Sequence, residues 1–104
     1  FQENAPITVV IDNNGGLTTI SQQQERLFGH DRHVATDFRD IPFHSLFEGL
    51  GGYGELVENR EQLRPALDRA MASGKTACVN VRTKGVISPI VLATTGKRDK
   101  ASIE

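Results

Sequence analysis

The sequence predicts an α/β fold built on a parallel β-sheet, and two observations support this prediction. Short apolar runs of strand-forming residues alternate along the chain with segments of helical periodicity. The first run, from Ile7 to Ile11, is entirely β-branched and is not interrupted by polar residues. Such runs are typical of strands covered on both faces. The order β–α–α–β–α–β therefore predicts three layers, with right-handed crossovers between parallel strands.

Composition is that of one small globular unit. The chain has 104 residues, a net charge of -1 and 38% hydrophobic residues. The near-neutral charge gives no reason to expect nucleic acid or an anionic membrane as a partner, and no apolar run reaches the roughly 18 residues of a membrane span. The single cysteine, Cys78, excludes an internal disulfide and favours a reducing compartment, so we expect a cytoplasmic protein.

The end of the first predicted strand is the candidate site. Asn13, Asn14, Gly15 and Gly16 follow the apolar run, where open parallel sheets bind ligands. The side-chain oxygen of Asn14 is a hard ligand that suits magnesium or calcium, and the glycines let the backbone approach a ligand. A helix is predicted next, and its first N–H groups would favour phosphate. Taken alone, the pattern is equally typical of an ordinary turn.

The first helix is predicted between the glycine pair and a surface loop. Ser21 and Gln24 have the spacing of a capping box, so the helix starts there or about one turn earlier. The loop, residues 30–41, is polar and aperiodic. Its histidines, His30 and His33, lack the further ligands that a zinc site needs. The apolar face of the helix would consist of Leu17, Ile20, Leu27 and Phe28.

Two further helices each carry an apolar stripe. One starts at Pro42, and the other follows a cap at Asn59 with a glutamine at its third helical position. Pro65 is expected to kink that last helix or to make its start irregular. The remaining strands are predicted at 53–57 and 76–81. The predicted buried positions are Phe43, Leu46, Phe47 and Leu50, and then Leu63, Ala66, Leu67, Ala70 and Met71.

In this order, the elements resemble the C-terminal part of thiamine-diphosphate-dependent enzymes. The stretch Ile11–Gly16 is similar to the second half of the thiamine-diphosphate motif, whose first half is Gly-Asp-Gly. The stretches 50–57 and 63–75 resemble the branch that holds acetolactate synthase-like enzymes, oxalyl-CoA decarboxylase and 2-hydroxyacyl-CoA lyase. The resemblance covers nearly everything from Pro6 to Arg82. It implies the α/β fold of the diphosphate-binding, or PP-type, domain.

The resemblance also implies two cofactors, thiamine diphosphate and Mg²⁺. Asn14 would bind magnesium through its side-chain oxygen and Gly16 through its backbone carbonyl, while Asn13 would shape the turn. No residue of this chain is assigned a catalytic role, because the glutamate that activates the cofactor in this family belongs to the pyrimidine-binding domain. The cofactor-binding residues would be Asn13, Asn14, Gly15, Gly16, Leu17 and Thr18.

By this resemblance, residues 1–82 are the C-terminal portion of a thiamine-diphosphate-binding domain and residues 83–104 form a C-terminal tail. The enzyme would be a lyase or carboligase that cleaves or forms a C–C bond next to a carbonyl, in a 2-oxo acid or an acyl-CoA. Its partners would be the rest of the same enzyme, including the pyrimidine-binding domain, and further copies in a dimer or tetramer. The isolated chain is expected to be inactive. The alternative is a small α/β binding or interaction module without catalysis.

The tail is predicted to dock on parts of the larger enzyme. It holds an apolar patch, 86–92, in which Ser88–Pro89 should prevent a regular helix. Its charged end, at Lys97, Arg98 and Lys100, would be solvated or, in the acyl-CoA branch, would meet the phosphates of CoA.

Overall fold

The computed structural model describes residues 1–94, and the chain divides into two compact units. The first unit consists of Phe1–Asn13 and Asp40–Thr83, and the second consists of Asn14–Arg39 and the chain from Lys84. Among the described residues, no helix combines the length and the apolar character needed to cross a membrane.

A three-stranded parallel β-sheet forms the framework of the first unit. Its strands are β1 (Thr8–Asn13), β2 (Tyr53–Val57) and β3 (Ala77–Arg82). The strand order is β1–β3–β2, and Cys78 of the central strand is paired with Val9 on one side and Gly54 on the other. All three strands therefore end at the same edge of the sheet, and the predicted parallel α/β fold is confirmed.

Helices cover both faces of this sheet within the first unit. The longer helices of the described residues are α1 (Thr18–Phe28), α2 (Phe43–Gly49) and α3 (Arg60–Ala72). Side chains alternate between the two faces along a strand. In β3, Val79 packs in the core cluster with Ala66 of α3, whereas the next residue, Asn80, contacts His44 of α2. Helices α2 and α3 therefore lie on opposite faces, which gives the unit three layers.

The core of the first unit lies between α3 and the sheet. Ala66 and Ala70 are buried there, with Leu63 and Leu67 packed against them, as the helical stripe predicts. Met71 was also predicted to be buried, but it is exposed because it lies past the last residue of α3 that reaches the cluster. Cys78 in the central strand is a buried free thiol, and burial raises its pKa.

Two predicted apolar faces are not buried in the described part of the chain. Neither α1 nor α2 contains a buried residue, and Val10 in the middle of β1 is 52% exposed. Periodicity identifies an apolar face, but burial needs a partner surface, and three strands with two helices supply too little of it. The large exposed residues of these predicted faces are Leu17, Ile20, Leu27 and Phe28 of the first helix and Leu46 and Leu50 of the second.

Both ends of the second unit differ from the sequence-based expectation. Helix α1 begins at Thr18 without a side-chain cap, and Ser21 donates to the carbonyl of Thr18 at 2.9 Å instead of starting a capping box. Residues 89–94 are helical, so the prediction that Ser88–Pro89 prevents a helix is wrong. Proline is tolerated at the first helical position, where its missing N–H is not needed. The predicted charged end, 97–100, lies outside the described residues.

The start of α3 follows the prediction closely. The side chain of Asn59 accepts a hydrogen bond from the backbone N–H of Gln62 at 3.1 Å. The side chain of Gln62 in turn accepts from the N–H of Glu58 at 2.9 Å. The first bond satisfies a donor that the first turn of a helix leaves without a partner, and the second holds the residue before the N-cap. Helix α3 then continues through Pro65.

We predict that Asn59→Ala destabilises the first turn of α3 by about 1 kcal/mol, because alanine cannot accept the N–H of Gln62. Native-state hydrogen exchange of the peptide covering 59–66 should become about fivefold faster. Asn59→Ser is the matched control, since serine is also a good N-cap. Equal exchange in the alanine and serine variants would contradict the role of the cap.

Candidate functional site

The candidate site begins at Asn13, the last residue of β1. Its backbone carbonyl accepts the N–H of Thr83 at 3.0 Å, and its side-chain amide donates to the side-chain oxygen of Asn80 at 3.2 Å. The preceding residue, Asp12, accepts a hydrogen bond from the hydroxyl of Thr83. The end of the strand is thus held by both backbone and side-chain contacts to β3 and the residue that follows it.

Asn80 is a buried polar residue in the central strand, with 1% exposure. Its amide nitrogen lies 3.4 Å from the carbonyl oxygen of Ile41 and 3.2 Å from Nδ1 of His44. Sequence reasoning did not single out Asn80. The available signal was an asparagine inside an otherwise apolar run, but the chain gives no local indication of what it would contact.

The second unit opens with the turn that the sequence predicts. Asn14 is half-buried, and Gly15 has a φ of +85°, a conformation that side chains disfavour. Gly16 forms an isolated antiparallel bridge with Asp37. A Cβ on Gly16 would overlap the carbonyl oxygen of Thr36, so this glycine is required by a close backbone approach and not by its own φ.

The loop predicted at 30–41 is partly ordered by this approach. The N–H of Leu17 donates to the carbonyl of Thr36 at 2.7 Å, and the N–H of Phe38 donates to the carbonyl of Gly15 at 2.8 Å. Thr36 is buried as a result. These contacts escape sequence analysis because the loop has neither strand periodicity nor apolar content. They fix the backbone that the candidate site presents.

The residues of this turn fit a magnesium–diphosphate group. Asn14 offers a hard side-chain oxygen, which suits Mg²⁺. Within the described residues, the N–H groups of Thr18 and Thr19 at the start of α1 make no hydrogen bond, and helix N-termini of this kind favour phosphate. The hydroxyl of Thr36 is buried, and among residues 1–94 it has no hydrogen-bond partner. All these groups suit an anionic ligand held through a hard cation.

His33 links the loop at 30–41 to helix α1. Its Nδ1 lies 2.7 Å from the carboxylate of Glu25, and its Nε2 lies 2.9 Å from that of Asp37. Hydrogen bonds to Asp37 and then Glu25 raise the pKa of His33. Both ring nitrogens are therefore used by carboxylates, and no group of three or more His, Cys, Asp or Glu side chains in residues 1–94 is arranged to hold a metal ion.

Comparison with known proteins identifies a family for this chain. Residues 1–81 match the family model of the thiamine pyrophosphate enzyme, C-terminal TPP binding domain. The chain belongs to this family. The matched residues include the sheet of the first unit up to Val81, both of its helices and the Asn14–Gly16 turn.

Curated relatives fall into two kinds of enzyme. The chain is 40% identical over 83 residues to the acetolactate synthase large subunit IlvG of Mycobacterium tuberculosis, covering 79% of this chain and 15% of the relative. It is 30% identical over 98 residues to the 2-hydroxyacyl-CoA lyase of Arabidopsis thaliana, covering 90% of this chain and 16% of the relative. The chain therefore spans about one-sixth of the length of these relatives.

The site residues predicted from the sequence form one continuous stretch in this family member. Asn13 ends the first unit, and Asn14 to Thr18 begin the second. Asn13, Asn14 and Thr18 are half-buried, whereas the side chain of Leu17 is exposed. Their roles in binding cofactor and metal stay predictions.

We predict that Gly16→Ala disturbs the pairing between the turn and the loop. The added methyl group would overlap the carbonyl of Thr36, and forced overpacking of this kind costs about 1–3 kcal/mol. Hydrogen exchange at the amides of Leu17 and Phe38 in the intact protein should accelerate. Gly49→Ala is the control, since an added Cβ there meets nothing within 4 Å. Unchanged protection in Gly16→Ala would contradict the close approach.

We predict that loop 33–38 is held more firmly in mild acid than in mild alkali. Because the pKa of His33 is raised in the folded protein, its pairing with Glu25 and Asp37 is complete below the ordinary pKa of about 6.5. The pairing is lost as the pH rises through the higher pKa of the folded state. Protection factors of the loop amides, measured across this range, should fall with pH.

His33→Gln should remove this pH dependence, because glutamine does not titrate. His30→Gln is the matched control, since His30 is exposed and, among residues 1–94, pairs only with the exposed Asp31. A pH dependence that persists in His33→Gln would show that another group controls the loop.

Proposed function

We propose that this chain provides the magnesium- and diphosphate-binding part of a thiamine-diphosphate-dependent enzyme. The observation that carries the proposal is the Asn14–Gly16 turn, which follows a parallel strand, precedes a helix N-terminus and is fixed by a loop that leaves no room for a side chain at Gly16. Membership of the family described as a thiamine pyrophosphate binding domain supports it.

Each residue of the turn has a role in this proposal. Asn14 binds Mg²⁺ through its side-chain oxygen, and Gly16 binds it through its carbonyl oxygen. The N–H groups at the start of α1, at Thr18 and Thr19, lie near the diphosphate and stabilise its charge. Asn13 shapes the turn, and Leu17 lies beside the cofactor. When bound, thiamine diphosphate supplies a carbon nucleophile and an electron sink.

The proposed reaction is the cleavage or formation of a C–C bond next to a carbonyl group. The relatives include an acetolactate synthase and a 2-hydroxyacyl-CoA lyase, so a 2-oxo acid or an acyl-CoA is the proposed substrate. The proposed partners are the rest of the same enzyme, with its pyrimidine-binding domain, and further copies in a dimer or tetramer. We propose a cytoplasmic location, as the single cysteine suggests.

We predict that Asn14→Ala in the intact enzyme weakens magnesium-dependent thiamine diphosphate binding by at least about 10- to 100-fold. Loss of a supporting contact at a metal site already has an effect of that size. Titration calorimetry with thiamine diphosphate at limiting Mg²⁺ measures the dissociation constant. Thermal unfolding of the cofactor-free enzyme should be unchanged, because the side chain of Asn14 is only half-buried.

Two variants complete this test. Asn14→Asp keeps a hard oxygen at the same position, so it should retain most of the magnesium-dependent affinity. Asn4→Ala removes an exposed asparagine outside the turn and should bind as the unaltered enzyme does. Unchanged cofactor affinity in Asn14→Ala would contradict the proposal and favour the alternative of a small α/β binding module.

A further inference from the structure

We propose that Asn80 is a positioning residue for the cofactor site. Its buried side-chain amide fixes the orientation of the Asn13 amide at the end of β1 and thereby sets the affinity for the cofactor. This inference rests on the proposed function, because it concerns the same site. It assigns a role to a residue of the central strand that belongs neither to the turn nor to the start of α1.

The contacts of Asn80 determine which way its amide points. A backbone carbonyl can only accept hydrogen bonds, so the contact to the oxygen of Ile41 at 3.4 Å requires the amide nitrogen on that side. The side-chain oxygen of Asn80 must then face Asn13, whose amide nitrogen lies 3.2 Å away. Asn13 is consequently held with its nitrogen toward β3.

The same amide also contacts helix α2. The nitrogen of Asn80 lies 3.2 Å from Nδ1 of His44, which can accept a hydrogen bond from it. Helix α2 comes close enough for this contact because Gly54 has no side chain: a Cβ there would overlap the carbonyl oxygen of His44.

Burying the polar side chain of Asn80 in a strand is unfavourable, which indicates that asparagine is present there for its hydrogen bonds. Asparagine is disfavoured in strands, and a buried amide without hydrogen-bond partners is destabilising. Its neighbours in β3, Cys78 and Val79, are equally buried and apolar. An apolar residue of similar size would suit the strand as well, but it would leave the amide of Asn13 without this acceptor.

The test is Asn80→Leu in the intact enzyme. Leucine has the same branched side-chain skeleton as asparagine, so the cofactor-free enzyme should remain folded, as circular dichroism and thermal unfolding would show. The dissociation constant for thiamine diphosphate with Mg²⁺, measured by titration calorimetry, should rise about tenfold. The increase should appear in the apparent KM for the cofactor more than in kcat. A purely structural role would lower the unfolding temperature and leave the cofactor affinity of the folded enzyme unchanged.

A double-mutant cycle with Asn13→Ala tests the route of the effect. If Asn80 acts through Asn13, the double variant should bind the cofactor no more than about twofold less tightly than the weaker single variant. The inference would be overturned if the effects of the two single substitutions on the dissociation constant multiply in the double variant. It would also be overturned by unchanged affinity in Asn80→Leu. Cys78→Ala is the matched control, because it alters an equally buried residue of β3 and should leave the affinity within about twofold.

Two further comparisons of variants distinguish the possible results of this test. If Asn80→Leu does not yield folded enzyme, Asn80→Ser carries the same test with a smaller side chain that cannot reach Asn13. Unchanged cofactor affinity in Asn14→Ala would reject the proposed function itself. Weakened affinity in Asn14→Ala together with unchanged affinity in Asn80→Leu would reject only the role of Asn80.

Discussion

The parallel register between β1 and β3 is the constraint on which the first unit depends. It places Asn13 opposite Arg82 at the carboxyl edge of the sheet, where ligands of open α/β sheets bind. It also brings the side chains of Asn13 and Asn80 within hydrogen-bond distance. A slip of β1 by one residue would turn the side chain of Asn13 to the other face of the sheet, away from Asn80. The pairing register of β1 with β3, and not the Asn-Asn-Gly-Gly motif alone, therefore fixes the position of the end of β1.

In the second unit, a glycine-containing turn has to be held in one conformation. Glycine allows the backbone to turn, but it also loses more conformational entropy on folding than any other residue. The contacts of Leu17 and Phe38 with the opposite backbone hold the turn in one conformation, and His33 holds the loop through Glu25 and Asp37. Exposed pairs of charges contribute little to stability. The main order of the turn thus comes from backbone hydrogen bonds.

Exposed apolar faces are the other marked property of this family member. Both α1 and α2 lack buried residues, and among residues 83–94 only Val91 is buried while Val86 and Ile90 remain exposed. Contiguous exposed apolar patches mark interaction surfaces. The chain spans 15–16% of the length of its curated relatives.

The sequence by itself determined the local features of this protein. The strand at 53–57, the cap at Asn59 and the stripe of α3 follow from propensity, capping and periodicity, which depend on residues within a few positions. The turn at Asn14 was also found from its neighbours. Tertiary structure alone decided which apolar faces are buried and which polar groups meet. Asn13 and Asn80 are 67 positions apart, and no local pattern reports a contact that only the pairing of distant strands creates.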